Sequence, residues 1–527
     1  MTAHKASAKR LPGVLALLAG AVAALAHPPF GFLPGLMGYG LLLALADRAE
    51  GERPIRSAFW RGFLAGSAYF LIGCWWVAEA FLVDAAEQGW MAPFAVLLLA
   101  AGLGLFWGAA CALYRSLRPR DSLLKVLVFA GALSLLEWLR GHVLTGFPWN
   151  LPGETWKAGS APSQAASLVG AYGLTWVTLA AVGALAAPFA FGRRGTTWSL
   201  FAGGVAAIAA LYAFGFAHLA HPAPIDPKAP WVRVVQADVR QEAKYDADKF
   251  QSIIDRYLRL TASAPAHGHA PDIVVWPEGA LPAAANDLFR PGAWTAEATL
   301  QALKPGQILL VGAYRMDDRG ARPIYYNSLF AFRRDGDALA TLGVYDKFRL
   351  VPFGEYLPLD SVLSPLGVKN MVHIGDGFTP GPRPRPISIG DAPRVQVLIC
   401  YESLFPGLTR EGAALADGPA DWIVNVSNDA WFGQTSGPWQ TLNLSSYRAI
   451  EEGLPMVRAT PTGVSAVVDS YGRPSPGALL PLGAFGVIDA PLPPALPQTP
   501  FARFGETAFW LMIGVSVVAL IAAMRRS

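Results

Sequence analysis

Three short segments of this 527-residue chain carry a thiol, a carboxylate and an amine in settings suited to acyl chemistry. Cys400 ends the apolar run Val395-Gln396-Val397-Leu398-Ile399 and precedes Tyr401-Glu402-Ser403, which places it on a sharp turn between a strand and a helix. Glu278 closes Asp272-Ile273-Val274-Val275-Trp276-Pro277, a strand that delivers a carboxylate just after a proline. Lys347 stands in Tyr345-Asp346-Lys347, ahead of Leu350-Val351-Pro352-Phe353-Gly354-Glu355. A carboxylate can take a thiol proton and an ammonium can hold a tetrahedral oxyanion. With a thiolate to carry the acyl group, the set is complete for acyl transfer. Lone cysteines are more often packing residues, and Cys74 and Cys111, inside apolar stretches, receive that reading.

These residues need a layered α/β domain to bring them together. Between about His221 and Phe504 the composition is that of a globular domain. Trp231–Val239, Asp272–Trp276, Ile308–Tyr314, Val395–Cys400 and Trp422–Val426 read as strands, and Lys244–Ser263 reads as an amphipathic helix. Near-continuous apolar strands alternating with helices imply sheets covered by helices. His267-Gly268-His269 lies in an Ala/Pro loop without a third ligand nearby, so no metal site is expected. No Gly-x-Gly-x-x-Gly opens a helix after a strand, so no nucleotide cofactor is expected either.

The rest of the chain is of another kind. Overall, 53% of residues are hydrophobic and 15% are charged, against about 25% charged in an ordinary soluble domain. The apolar excess falls in eight stretches: Leu11–Ala26, Pro29–Ala46, Phe63–Val83, Met91–Tyr114, Val126–Leu139, Leu168–Phe189, Leu200–Leu219 and Phe509–Met524. Each is near the length that a bilayer core requires, so an α-helical polytopic membrane domain of eight spans is expected. Every second connection is basic: Lys5, Lys9 and Arg10; Arg48, Arg53, Arg56 and Arg61; Arg115, Arg118, Arg120 and Lys125; Arg193 and Arg194; Arg525 and Arg526. The positive-inside rule then puts both termini in the cytoplasm and the globular domain outside it. The net charge of +4 is therefore a topology signal, and no nucleic-acid partner is implied. Lys5 to Arg10, the apolar run and Ala24-Leu25-Ala26 also fit a cleavable signal peptide, which leaves the remaining topology unchanged. Glu79 and Glu137, within or at the edge of spans, are functional candidates, with Arg140 one turn from Glu137.

Trp276-Pro277-Glu278, Tyr345-Asp346-Lys347 and Cys400-Tyr401-Glu402 resemble the Glu-Lys-Cys signature of the nitrilase, or carbon–nitrogen hydrolase, superfamily. Asn425-Val426-Ser427-Asn428-Asp429-Ala430-Trp431-Phe432-Gly433 and Arg458-Ala459-Thr460-Pro461 look like its later strands and turns. A nitrilase-like domain set between seven spans and an eighth, with Gly146-Phe147-Pro148-Trp149 in an outer loop, resembles the bacterial apolipoprotein N-acyltransferases. That resemblance implies an extracytoplasmic αββα sandwich over 221–504, a membrane domain over 1–220 and a last span over 505–527. It also implies a multi-pass protein of the bacterial inner membrane. Its acyl donor would be a membrane phospholipid and its acceptor a diacylglyceryl apolipoprotein. Carried onto this sequence, the resemblance makes Glu278 the general base, Lys347 the oxyanion stabiliser and Cys400 the nucleophile. Glu355, Glu402, Tyr401, Asn327, Tyr245 and Trp149 become supporting or substrate-binding residues, with Tyr245 standing where some members carry tryptophan. The loop Pro352–Leu357 and the stretch Leu363–Phe378, with Val368, Met371, Val372 and Ile374, read as a lid at the membrane boundary. Two rival readings use the same features: a membrane-tethered amidase or nitrilase, and a transporter with a capturing outer domain. Paired halves with broken spans would favour the transporter; no second half matches.

Overall fold

A computed structural model describes the chain except residues 1, 118, 221, 267, 321, 368, 370–376, 417 and 526–527. It gives the backbone but not the side chains of residues 2–10, 245, 247, 363, 366 and 523. Half of the stretch Leu363–Phe378, including Val368, Met371, Val372 and Ile374, lies outside the described residues, as does His267. The chain forms two compact units. The first comprises Met1–Leu82, Gly89–Pro222 and Thr499–Ser527, and the second Val83–Gln88 and Ala223–Gln498.

The first unit is helical. Four helices are long and apolar enough to cross a membrane: Ala85–Leu117, Ser122–Thr145, Pro162–Ala190 and Gly195–Leu219. A fifth candidate is the pair Pro54–Gly73 and Trp75–Phe81, bent by 54°. Leu11–Ala24, Leu33–Asp47 and Thr507–Ala522 are apolar but shorter. Each of the eight apolar stretches thus holds a helix, and four or five have the length of a span. Small residues let these helices approach closely. A Cβ on Gly20 would lie 1.8 Å from Ala65 O, and one on Gly62 would lie 2.3 Å from Trp107 O.

The second unit is built from two six-stranded sheets. The first has the order β12-β1-β2-β3-β4-β5, with β1 (Trp231–Gln236), β2 (Ile273–Trp276) and β3 (Ile308–Asp317) parallel. β4 (Ile324–Asp335), β5 (Ala338–Asp346) and β12 (Gly486–Pro491) run antiparallel to their neighbours. The second sheet has the order β11-β10-β9-β8-β7-β6. Here β7 (Ala392–Ile399), β8 (Trp422–Val426) and β9 (Met456–Ala459) are parallel. The flanking β6 (Ile387–Ile389), β10 (Ser465–Val468) and β11 (Pro474–Leu480) are antiparallel. Both sheets therefore share one plan, a parallel trio with one antiparallel strand on one side and two on the other.

The period-2 alternation of the strands sorts their side chains. Val232, Val234, Ile273, Val275 and Leu310 face Val395, Val397, Ile399, Trp422, Val424 and Val426 in a core between the sheets. Val235, Val274, Trp276, Leu309 and Val311 point the other way, against Ile253, Ile254 and Tyr257 of the helix Phe250–Ala262. On the second sheet, Gln396, Leu398, Ile423 and Asn425 are buried on the opposite face. The helix Gly437–Glu452 is buried along its length and packs on the turn Cys400–Leu404. Both central trios are thus covered on both faces, as near-continuous apolar strands require.

Candidate active site

The candidate residues stand where strands end. Glu278 is two residues beyond β2, Lys347 one beyond β5 and Cys400 one beyond β7. Cys400 has φ +51°, in the left-handed region that non-glycine residues rarely adopt. Such backbone strain persists only where surrounding structure holds it. Here Glu402 does so: its Oε2 accepts from Ile399 N at 2.7 Å, and its Oε1 accepts from Tyr345 OH and Phe348 N at 2.8 Å each. Ser403 Oγ also donates back to Cys400 O at 2.9 Å. Glu402 thereby ties the cysteine turn to the backbone just after Lys347. Burial pushes its carboxyl up from the ordinary value, against the lowering pull of those donors.

Lys347 is 1% exposed and its Nζ lies 3.3 Å from Glu278 Oε1 and 2.9 Å from Glu355 Oε1. Asn327, on β4, donates through Nδ2 to both carboxylates at 2.7 Å. Glu355 Oε2 accepts from Val351 N at 2.7 Å, and Glu278 Oε2 accepts from Asn428 N at 2.7 Å. Burial alone would raise the Glu278 carboxyl, but Lys347 and the donors from Asn327, Lys347 and Cys400 outweigh it and hold the group below its ordinary value. Burial likewise works against the Lys347 ammonium, yet Glu278 and Glu355 keep it firmly charged. The Cys400 thiol is pushed up to about 12, by burial first and the Glu278 charge second, while Lys347 and a hydrogen bond with Ser427 pull the other way. The resting state is a protonated thiol beside an ionised carboxylate and a cation. A site with a base of this kind needs no preformed thiolate.

The structure thus brings Glu278, Lys347, Cys400, Glu355, Glu402 and Asn327 into one hydrogen-bonded and electrostatic cluster. Tyr401 packs edge-on against Phe405 at 5.1 Å in the same turn. The side chain of Tyr245 lies outside the described residues. Trp149 belongs to the first unit, where it is buried against Trp76 and Phe147 at 4.5 and 5.8 Å. Among the described residues, no group of three His, Cys, Asp or Glu could hold a metal ion.

Several supports have no role assigned in the sequence reading, although Asn428, Asp429 and Arg458 stand in its family-like segments. Gly312 on β3 leaves room for the Glu278 backbone, since a Cβ there would lie 2.6 Å from Glu278 Cα. Both carboxylate oxygens of Asp429 accept from Arg458 Nη2, at 2.7 and 2.8 Å, and Oδ1 also accepts from Ser427 Oγ at 2.7 Å, fixing the loop after β8. Asn428 and Gln241 join Glu278 through hydrogen bonds that span at least 150 positions. An Asn-Asp pair after an apolar strand was the one local signal available.

Residues 231–496 match the family described as carbon–nitrogen hydrolase, and residues 19–185 match the apolipoprotein N-acyltransferase N-terminal domain. With its two covered sheets, the second unit is a carbon–nitrogen hydrolase domain of the nitrilase kind. A Caulobacter vibrioides protein named apolipoprotein N-acyltransferase is 57% identical over 505 residues, covering 96% of this chain and 93% of that one. Proteins of the same name from Allorhizobium ampelinum and Brucella melitensis are 37% and 38% identical, covering 97% and 96% of this chain and 96% and 94% of theirs. The chain belongs to the apolipoprotein N-acyltransferase family.

Proposed function

We propose that this chain moves an acyl chain from a membrane phospholipid to the α-amino group of the diacylglyceryl-cysteine that begins an apolipoprotein. This is the last step of lipoprotein maturation. The observation that carries the reading is the Glu278–Lys347 pair at 3.3 Å, set against the Cys400 thiol in a member of this family. Glu278 takes the thiol proton as sulfur attacks the ester carbonyl, and the oxyanion forms beside the Lys347 ammonium. The C–O bond then breaks, the leaving lysophospholipid oxygen takes the proton from Glu278, and a thioester remains on Cys400. Burial and the Glu278 charge push the thiol up, so it is protonated at neutral pH. Proton transfer to Glu278 therefore has to accompany attack. In the second half the amine attacks the thioester, giving a stable amide and ping-pong kinetics.

Both substrates are lipid-anchored, which suits a catalytic domain joined to apolar helices. In this reading residues 1–220 form seven spans, 221–504 the catalytic domain and 505–527 the eighth span of a bacterial inner-membrane protein. The catalytic domain faces the periplasm and both termini face the cytoplasm, as the alternation of basic connections supports. Incubation of purified protein with phospholipid alone should add one acyl mass, removable by neutral hydroxylamine. No adduct on the unmodified protein would overturn the mechanism. Reporter fusions at Asp272 and Ser527 test the topology, and an external Ser527 would overturn it.

A further inference from the structure

Asn428 stands two residues beyond β8 as Glu278 stands two residues beyond β2, each after the middle strand of its sheet's parallel trio. Its backbone N–H donates to Glu278 Oε2 at 2.7 Å, and its Nδ2 donates to Gln241 Oε1 at 2.8 Å. The residue is 8% exposed, and no described residue donates to its buried Oδ1. A buried acceptor left without a donor has given up its hydration with nothing in return. Beside an active site, a substrate donor is the natural partner for such a group. With Gln241 Oε1 as the acceptor, Nδ2 is the donating end of the Asn428 amide and Oδ1 the free end.

The two substrates of the proposed reaction differ in this respect. An ester presents only oxygen acceptors around its reacting carbon, whereas the acceptor presents an amine. We propose that Asn428 Oδ1 accepts a hydrogen bond from the α-amino group of the acyl acceptor and holds it beside Glu278 for attack on the Cys400 thioester. The proposal rests on the acyl-transfer reading above. Glu278 Oε1 accepts from Asn327 and Lys347 and Oε2 from the backbone of Asn428; the further bond that the Cys400 thiol donates to Glu278 is lost in the thioester, which leaves the carboxylate capacity for an amine proton. In the step, the neutral amine forms the C–N bond and the C–S bond breaks. One amine proton passes to Glu278 and from it to the Cys400 sulfur.

The test uses the full-length protein in detergent with a defined phospholipid and a synthetic diacylglyceryl-cysteinyl peptide. Loading is followed as the gain of acyl mass on Cys400, and the chase as its loss after peptide is added. In Asn428→Ala the ratio of chase rate to loading rate should fall by roughly 2- to 10-fold, the range for one hydrogen bond between neutral groups. Asn428→Asp keeps an acceptor oxygen and should recover much of the ratio. Gln241→Ala, which releases the amide to rotate, should lower it in part, and serves if Asn428→Ala does not fold. A ratio unchanged in Asn428→Ala, or in Gln241→Ala where the first variant fails, overturns the proposal. Equal slowing of both halves also overturns it, since that outcome assigns Asn428 to the support of Glu278 alone. An unmodified protein that gains no acyl mass defeats the acyl-transfer reading itself, and so is distinguished from either result.

Discussion

Two buried ion clusters in this molecule meet the cost of burial in opposite ways. In the helical unit, Glu137 and Arg140 lie one turn apart, both fully buried, and answer each other charge for charge. Trp107 Nε1 donates to Glu137 at 2.6 Å, while Arg140 also donates to Phe147 O and sits 4.8 Å from the centre of the Phe70 ring. Phe147 N returns a bond to Arg140 O at 2.8 Å, so the matched pair clamps the loop that carries Trp149. In the α/β unit one ammonium, Lys347, faces two carboxylates, Glu278 and Glu355. A matched pair fixes shape and has nothing left to give. An excess carboxylate can take up a proton, and that is what a thiol requires of its surroundings.

The first way to break this contrast is to remove the thiol. Cys400→Ala should abolish the acyl adduct on phospholipid, while Cys74→Ala and Cys111→Ala should keep it. A normal adduct in Cys400→Ala places the nucleophile elsewhere. Next come the charges. Glu278→Gln removes the proposed base and Lys347→Ala the proposed oxyanion partner, and each should slow loading by roughly two or more orders of magnitude. Single-turnover loading measured by mass spectrometry decides this, and a Glu278→Gln rate near that of the unmodified protein would remove Glu278 from the role of base.

The matched pair should respond differently. Arg140→Ala leaves the Glu137 carboxylate buried without its partner and should cost about 3–5 kcal/mol of stability. The double change Glu137→Leu with Arg140→Leu removes both charges and should recover most of that loss. Thermal unfolding in one detergent compares the two. A double variant no more stable than Arg140→Ala would show that the clamp on Phe147, and not charge balance, is the pair's main contribution.

Much of this architecture was legible in residue order, and the reasons for the rest are physical. The apolar run Trp422–Val426 coincides with β8, and the runs expected at β1, β2, β3 and β7 agree within a few positions, because apolar runs bounded by turn residues mark fully buried strands. The hairpin of β4 and β5 was not, since Arg333, Arg334, Asp335 and the exposed Ala338 blur its alternation. The expected helix Lys244–Ser263 begins instead at Phe250, after two short turns spanning Glu242–Lys249. Glu278, Lys347 and Cys400 were visible because each follows a recognisable motif. No local pattern assigns a role to Gln241 or Asn428, because their contacts join segments far apart in the chain. Gly312 was equally silent, since its role lies in the missing Cβ that lets Glu278 pass.

The finest test concerns Glu402, a buried carboxylate that meets its charge without any cation within ion-pair distance among the described residues. Four donors satisfy it: Tyr345 OH at 2.8 Å and the backbone amides of Ile399, Phe348 and Arg349 at 2.7, 2.8 and 3.2 Å. Tyr345→Phe removes one donor and keeps the ring, which should cost about 1 kcal/mol and leave the fold intact. The effect should also depend on pH. Burial raises the Glu402 carboxyl from its model-peptide value of 4.5. Its contribution to stability is therefore fully present below that unfolded value and is lost as pH rises through the higher folded one. The Tyr345 bond is one of the influences that hold the folded value down. Without it the folded value climbs further and more stability is lost on the alkaline side. Unfolding midpoints of Tyr345→Phe and the unmodified protein should lie closer together in acid than at neutral pH. A gap that is constant across that range would mean that Glu402 ionises alike with and without the tyrosine donor.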